Sequence, residues 1–227
     1  MIVAKFGGTS LASAERFRHA ADIIRADENR RYVVVSAPGK RRDGDIKVTD
    51  LLYRFRETGD PADLAPIRER FLEIEEQLGL SLDLSRDFEE MTHPHPNADY
   101  LVSRGEYLSA RIMAAYLGWT FVDARDCVFF DDAGQLDLLK TQHALFQQLR
   151  GLPHAVLPGF YGVMPDGEVH TFTRGGSDIS GALVASAMDA QVYENWTDVD
   201  GMLVTDPHIV PQAAPLHAIT YRELREL

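Results

Sequence analysis

Short apolar runs alternate with amphipathic segments along this chain of 227 residues. Apolar residues that recur every three or four positions indicate helices, and short runs rich in Val, Ile and Phe between turn residues indicate strands. We predict helices at 13–27, 48–58, 62–78, 98–117, 138–150 and 178–189. We predict strands at 2–6, 31–36, 119–123, 154–158, 168–173 and 191–196. This alternation favours an α/β fold, a three-layer αβα sandwich with a mainly parallel central sheet.

The predicted sheet also indicates where a functional site would lie. Ligands of an open parallel sheet bind outside the carboxyl ends of its strands. Lys5, Ser36, Gly159 and Arg174 all fall at or just after the ends of predicted strands. We therefore expect the site along that edge of the sheet.

The first predicted strand carries a lysine and leads into a glycine turn. Two glycines and two hydroxyl residues follow Lys5 and Phe6: Gly7, Gly8, Thr9 and Ser10. A helical pattern begins three residues later, and a helix N-terminus beside glycine amides favours an anion. The residues match neither the P-loop nor the dinucleotide-binding motif. A phosphate site and an ordinary tight turn therefore both explain them.

A second cationic glycine turn lies in the other half of the chain. Arg174 precedes Gly175, Gly176, Ser177 and Asp178, and a helix of small residues follows. Arginine binds a carboxylate or phosphate in a bidentate manner. Alternatively, Asp178 is a stabilising acid in the first turn of a helix, and Arg174 is a surface charge. Two such turns in one chain suggest phosphoryl transfer between anionic partners.

The bulk properties limit the classes of protein to which the chain can belong. Its formal net charge of −12 argues against nucleic-acid binding, which usually requires a basic patch. A single cysteine, Cys127, excludes an intramolecular disulfide, as expected in a reducing compartment. No segment reads as a membrane span or a signal peptide. We expect a cytoplasmic protein of one or two domains that binds neither nucleic acid nor membrane.

Five motifs carry a resemblance to a known family, and they follow one another in the expected order: Lys5-Phe6-Gly7-Gly8-Thr9-Ser10, Val35-Ser36-Ala37-Pro38, Ser103-Arg104-Gly105-Glu106, Arg174-Gly175-Gly176-Ser177-Asp178 and Trp196-Thr197-Asp198-Val199-Asp200-Gly201. With these motifs the chain resembles the aspartokinases, which are enzymes of the amino acid kinase family with a carbamate kinase-like fold. The resemblance implies that ATP phosphorylates the side-chain carboxylate of L-aspartate to give 4-phospho-L-aspartate and ADP. This is the first step towards lysine, threonine and methionine.

The resemblance also implies roles for individual residues. Two residues would be catalytic: Lys5 and Asp178. Eight would bind the amino acid: Ser36, Thr49, Glu106, Phe160, Arg174, Gly175, Gly176 and Ser177. Nine would bind ATP: Lys5, Gly7, Gly8, Thr9, Ser10, Thr197, Asp198, Leu203 and His208. Glu106 would orient Lys5 or receive the substrate ammonium, although a lone helical glutamate is usually solvated. Phe160 would pack on the bound amino acid, although it also reads as an ordinary core aromatic.

By the same resemblance, residues 1–227 form one catalytic domain. Its substrate-binding lobe covers about 1–160, with a helical insertion at about 48–117, and an incomplete nucleotide-binding part covers about 161–227. The chain would stop before a lysine-containing nucleotide segment and the ACT regulatory domains. Leu203 and His208 stand where aspartokinases commonly carry tyrosine and arginine. We expect no metal ligands from the protein, with Mg²⁺ held mainly by the phosphates of ATP.

Two alternatives to aspartate kinase activity remain. The first is a sibling kinase that acts on another carboxylate substrate. The second is a truncated, catalytically silent module that binds an amino acid. We further expect a homo-oligomer or association with a longer homologue.

Overall fold

The structure, a computed structural model, describes residues 1–93, 97–173, 175–198, 201, 205, 209–210, 212, 214 and 216–220. The helices in this part of the chain are α1 (Ala14–Arg25), α2 (Val48–Thr58), α3 (Pro61–Gln77), α4 (Ser85–Thr92), α5 (Ala98–Leu117), α6 (Leu138–Leu149) and α7 (Gly176–Ala187). The strands are β1 (Ile2–Phe6), β2 (Arg30–Val35), β3 (Thr120–Phe121), β4 (Ala155–Pro158), β5 (Tyr161–Val163), β6 (Val169–Thr171) and β7 (Val192–Trp196). The predicted alternation of helices and strands is confirmed.

Five of the strands form the central sheet. Their order is β3-β4-β2-β1-β7, and every neighbouring pair is parallel. The register sets Lys5 of β1 beside Val34 of β2 and Asn195 of β7. The remaining strands, β5 and β6, form a separate antiparallel hairpin. The predicted mainly parallel sheet is therefore confirmed.

Successive side chains of each strand enter two separate cores, one on each face of the sheet. Ala4 and Phe6 of β1 pack into a core shared with α1 to α5. Val3 of the same strand and Tyr32 of β2 pack into a second core with α6 and α7. Because side chains alternate along a strand, one apolar run supplies both cores. The sheet is therefore covered on both faces, as in the predicted sandwich.

The predicted helical insertion at 48–117 contains four helices, and the turn inside it has clear causes. Gly59 ends α2 in the left-handed region, with φ of 64°. Asp60 then caps α3 by accepting a hydrogen bond from the backbone of Ala62, and Pro61 takes the first helical position. The insertion is more than a solvated surface, because Phe71 of α3 and Phe88 of α4 are buried in the first core.

The differences from the predicted elements concern short segments. Helix α4 and strand β5 were not predicted, because eight and three residues are too few to show a clear period. The strand predicted at 168–173 shortens to β6, which pairs with β5 and not with the central sheet. The strand predicted at 119–123 shortens to β3. The two small strands depend on long-range pairing that a local pattern does not reveal.

The chain divides into two compact units, residues 1–196 and 197–227. The first unit contains all the helices and strands named above. The proposed functional division near residue 160 remains a prediction. Within the residues that the structure describes, no helix is both long enough and apolar enough to cross a membrane.

Gly105 offers a test of how tightly α5 packs near the site. A methyl group there would lie 2.6 Å from Cβ of Ala37 and 3.2 Å from Cδ1 of Leu52. Glycine to alanine in a helix normally stabilises it by about 1 kcal/mol. We expect the clash to outweigh this gain, so that Gly105→Ala lowers the free energy of unfolding by about 1–3 kcal/mol in urea titrations. Gly151→Ala is the control, because nothing lies within 4 Å of the added methyl. A stabilised Gly105→Ala variant would contradict the packing.

Candidate active site

Three turns meet at the carboxyl edge of the central sheet. The backbone N–H groups of Gly7, Ser36 and Gly159 each donate to the carbonyl of the last residue of a neighbouring strand, at 3.0 or 3.1 Å. The hydrogen-bond ladder thus continues past the ends of β1, β2 and β4. The predicted position of Lys5, Ser36 and Gly159 along one edge is confirmed.

The two predicted catalytic residues are in direct contact. Nζ of Lys5 lies 2.7 Å from Oδ1 of Asp178, and the lysine side chain is only 9% exposed. Lys5 comes from β1, and Asp178 comes from the first turn of α7, which packs on β1. A buried ammonium requires a partner, because burial of an isolated charge is costly. The pair therefore places a fixed positive charge beside Gly7, where an added Cβ would lie 3.6 Å from Nζ.

Two residues of β7 that lie outside the motifs, Tyr193 and Asn195, also hydrogen-bond to Asp178. Nδ2 of Asn195 donates to Oδ1 of Asp178 at 3.1 Å, and the Tyr193 hydroxyl donates to the Asp178 carbonyl at 3.1 Å. The Tyr193 ring packs so closely on Gly181 that a Cβ there would lie 2.5 Å from its hydroxyl. Asn195 reaches this position because the parallel register of β1 and β7 sets it beside Lys5. That register is not readable from local pattern.

The glycine turn after β1 touches the turn after β2. The backbone N–H of Gly39 donates to the Gly8 carbonyl at 2.7 Å, and an added Cβ on Gly8 would lie 2.7 Å from the Ala37 carbonyl oxygen. The close packing of these two turns alone therefore requires glycine at position 8. A 3-10 helix, Gly8–Leu11, separates β1 from α1, and Ser13 caps α1. The first helical segment after β1 is therefore this short 3-10 helix, and α1 follows it.

A cavity of about 220 Å³ opens between these two turns, the start of α2 and the middle of α5. The structure brings three of the predicted substrate-binding residues together in its lining: Ser36, Thr49 and Glu106. Gly8 and Thr9 line the same cavity. Its remaining lining residues are Ala37, Pro38, Gly39 and Lys47. Of these, Lys47 is a charged residue that the sequence motifs did not single out.

Among the described residues that line this cavity, Glu106 is the one with an acidic side chain. It is 5% exposed, and its Oε2 has no hydrogen-bond partner among the described residues. Burial raises the pKa of this carboxyl to about 8, although the backbone N–H of Ala37 and the charge of Arg104 oppose the shift. Lys5 forms its ion pair with Asp178. Glu106 is therefore available to a cation that enters the cavity.

Phe160 holds an unusual backbone conformation beside α7. Its φ of 80° lies in the left-handed region, which a bulky side chain rarely adopts. Its N–H donates to Oγ of Ser180 at 3.1 Å, and its carbonyl accepts from the Phe172 N–H at 2.9 Å. Such strain costs about 1–3 kcal/mol and persists where the surroundings enforce it. The strain lies in the turn that follows β4, at the edge where the site is predicted.

Close contacts fix this turn against the start of α7. An added Cβ on Gly159 would lie 2.7 Å from Cα of Ser177, and one on Gly176 would lie 2.8 Å from the Phe160 ring. Gly175, just before the helix, has φ of 58°, which favours glycine. Two of the predicted substrate-binding residues, Gly176 and Ser177, thus lie against Phe160 and Gly159.

Several predicted site residues cannot be placed. Arg174, Leu203 and His208 lie outside the described residues. Thr197 and Asp198 belong to the second compact unit, and the Thr197 hydroxyl donates to Oδ1 of Asp198 at 3.1 Å. In the described part of the chain, no group of three or more His, Cys, Asp or Glu side chains is arranged to hold a metal ion.

The sequence profile of the amino acid kinase family matches residues 1–227. The chain belongs to the amino acid kinase family. The fold and the family predicted from its motifs are therefore confirmed.

Within this family the chain is similar to aspartokinases. It is 37% identical to aspartokinase 3 of Bacillus subtilis and 30% identical to the lysine-sensitive aspartokinase 3 of Escherichia coli. Each alignment covers 100% of this chain and 55% of the relative. The chain thus spans about half the length of these curated relatives.

Solved structures give the same result. Aspartate kinase from Clostridium acetobutylicum superimposes with a TM-score of 0.93 at 40% identity, over 100% of this chain and 54% of the other. E. coli aspartokinase III in complex with aspartate and ADP superimposes with a TM-score of 0.82 at 30% identity, over 95% of this chain and 53% of the other. An isopentenyl phosphate kinase, at 16% identity and a TM-score of 0.57, shares the fold.

The raised pKa of Glu106 is open to direct measurement. We expect its carboxyl to titrate near pH 8 in carboxyl-carbon NMR of glutamate-labelled protein, with Glu106→Gln assigning the signal. Its folded pKa lies above its ordinary value of 4.5, so this group lowers the stability of the fold as pH rises from 4.5 to 8. The stability of the Glu106→Gln variant should lack this part of the pH dependence. A midpoint near 4.5 would show that the carboxyl is solvated.

Proposed function

We propose that this protein phosphorylates the side-chain carboxylate of L-aspartate with ATP, giving 4-phospho-L-aspartate and ADP. The observation that carries the proposal is the ion pair between buried Lys5 and exposed Asp178 at the sheet edge, together with the nearby cavity that contains Glu106. Membership of the amino acid kinase family and similarity to aspartokinases support it. One of these relatives was solved with aspartate and ADP.

The charges of the site suggest how the amino acid would bind. Asp178 is occupied by Lys5 and Asn195, so Glu106 is the better partner for the substrate ammonium. Ser36 and Thr49 line the same cavity, and their hydroxyl groups would bind a carboxylate. Arg174 would bind the α-carboxylate, as the resemblance implies.

The reaction requires no general base. A carboxylate is already ionised at neutral pH, and one of its oxygens would attack the γ-phosphorus of ATP. The bond from that phosphorus to the bridging oxygen would break, and ADP would leave with the electron pair. The obstacle is repulsion between two anions, so catalysis consists of positioning and neutralisation of charge. Lys5 would supply this charge, and Asp178 and Asn195 would hold it in place.

The remaining nucleotide contacts are also proposals. The glycine turn from Gly7 to Ser10 would face the phosphates. By the resemblance, four further residues would bind the rest of the nucleotide: Thr197, Asp198, Leu203 and His208. Mg²⁺ would arrive bound to the phosphates and neutralise further charge. A cytoplasmic location and assembly with itself or a longer homologue remain predictions.

Product formation tests the proposal directly. The purified chain with Mg-ATP and L-aspartate should release ADP and form an acyl phosphate that hydroxylamine traps as a hydroxamate. Lys5→Ala removes the charge at the reacting phosphate, and we expect it to lower kcat by about 100-fold or more. Lys40→Ala is the matched control, because Lys40 is exposed. Aspartate binding without hydroxamate would instead indicate an amino-acid-binding module.

The affinity for aspartate should depend on pH. The substrate ammonium requires ionised Glu106, and the free carboxyl has a pKa of about 8. The Kd measured by calorimetry should therefore fall by about tenfold between pH 6 and 7 and level off above pH 8. Glu106→Gln should bind aspartate weakly at every pH. A Kd that does not change from pH 6 to 8 in the wild type would contradict this role for Glu106.

A further inference from the structure

The cavity contains a cation that none of the sequence motifs assigned. Lys47 lines the cavity together with Glu106, Ser36 and Thr49. Its ammonium makes no hydrogen bond or ion pair with any residue that the structure describes. Glu106 is buried, whereas Lys47 is exposed, so Glu106 lines the closed side of the cavity and Lys47 lines the side that faces solvent.

The segment that leads to Lys47 is closed on itself at the cavity. The Val48 N–H donates to the Pro38 carbonyl at 3.0 Å, so the two ends of residues 39–47 meet. Gly39, at the first end, packs against the glycine turn after β1. The segment is therefore a compact loop with both ends in the cavity lining.

A buried arginine of the helical insertion holds this loop. Arg70 of α3 is 3% exposed, and its guanidinium donates to the Gly39 carbonyl at 2.9 Å. It also donates to both carboxylate oxygens of Asp45, at 2.8 and 2.9 Å, and to the Ile46 carbonyl at 3.4 Å. One side chain thus ties the start of the loop to the two residues that precede Lys47.

Asp45 completes this arrangement from inside the loop. It accepts hydrogen bonds from the backbone N–H of Arg41 at 2.9 Å and from Nε of Arg41 at 3.0 Å. The Arg41 hydrogen bonds and the charge of Arg70 hold the pKa of Asp45 well below its ordinary value. Asp45 is therefore a carboxylate at neutral pH, and charge-assisted hydrogen bonds of this kind are the strong ones.

We propose that Lys47 binds a carboxylate of the amino-acid substrate, and that Arg70 acts through Asp45 as a positioning residue that holds Lys47 at the cavity. This inference rests on the proposed function. An acidic amino acid carries one ammonium and two carboxylates, and the cavity offers Glu106 for the first and Lys47 for one of the others. The loop fixes the backbone of Lys47 at the cavity, so less conformational entropy is lost when its side chain binds a carboxylate.

Calorimetry of aspartate binding to the 227-residue chain tests Lys47. Lys47→Met should raise the Kd by about tenfold to a hundredfold, as expected for the loss of a charge-assisted hydrogen bond. Lys47→Arg should keep most of the affinity. Lys40→Met makes the same charge change in the same loop but outside the cavity lining, and it should bind as the wild type does.

L-Asparagine shows which carboxylate Lys47 binds. If Lys47 meets the side-chain carboxylate, Lys47→Met should weaken the binding of aspartate but not of asparagine. If it meets the α-carboxylate, both should weaken. Unchanged aspartate affinity in Lys47→Met, or a weakened affinity for ATP alone, would overturn the inference. A wild-type chain that binds ATP but no aspartate would instead overturn the proposed function, and the inference with it.

A double-mutant cycle tests whether Arg70 acts through Lys47. Arg70→Lys keeps the positive charge but loses the forked hydrogen-bond donors of the guanidinium. It should weaken aspartate binding, while kcat at saturating aspartate and the affinity for ATP stay unchanged. When Arg70→Lys is combined with Lys47→Met, it should have little further effect on the Kd for aspartate. Arg68→Lys, an exposed change on the same helix, is the control. Asp45→Asn is the milder variant if Arg70→Lys does not fold. Fully additive effects would show that Arg70 does not act through Lys47.

Discussion

The ion pair between Lys5 and Asp178 is the interaction on which the arrangement of the candidate site depends. A lysine on the second strand from the edge of a parallel sheet is buried, and without a carboxylate its charge would oppose folding. Asp178 can reach it only if the first turn of α7 lies directly over β1. The small residues of that helix allow this approach, because Gly181 leaves room for the Tyr193 ring and Gly176 leaves room for Phe160. Electrostatics and packing thus require the same position of α7.

The helices of the two faces contribute different parts of the site. Glu106 belongs to α5, which packs in the core with α1 to α4, whereas Asp178 belongs to α7 in the core on the opposite face. Both parts of the site lie where the sheet ends: Asp178 contacts Lys5 of β1, and Glu106 lines the cavity between the turns after β1 and β2. Gly8 and Gly39 let those turns touch, and this contact forms one wall of the cavity. Backbone contacts between these two turns therefore connect the proposed phosphoryl-transfer side to the cavity that contains Glu106.

The sequence predicted what local pattern encodes, and it missed what long-range packing decides. Lys5 and Asp178 each lie in a short glycine motif, so both were found and are in contact. The burial of Glu106 was not predictable from its helical period, and only the resemblance drew attention to it. Asn195 depends on the register between β1 and β7, which are nearly 190 residues apart in the chain. The strained φ of Phe160 follows from the contacts of α7 and leaves no trace in composition.

Arg70 illustrates the same limit and explains the role of the helical insertion. By composition, residues 54–90 resemble a charged, solvated surface, and an arginine there attracts no notice. In the fold this arginine is buried and reaches 31 residues back along the chain to the Gly39 carbonyl. Replacing a buried ion pair with apolar residues often stabilises a protein, so stability alone does not explain why Arg70 and Asp45 are charged. Their hydrogen bonds end on the loop that carries Lys47 to the cavity. This placement favours a role in presenting a charge to the substrate over a role in holding α3 to the core.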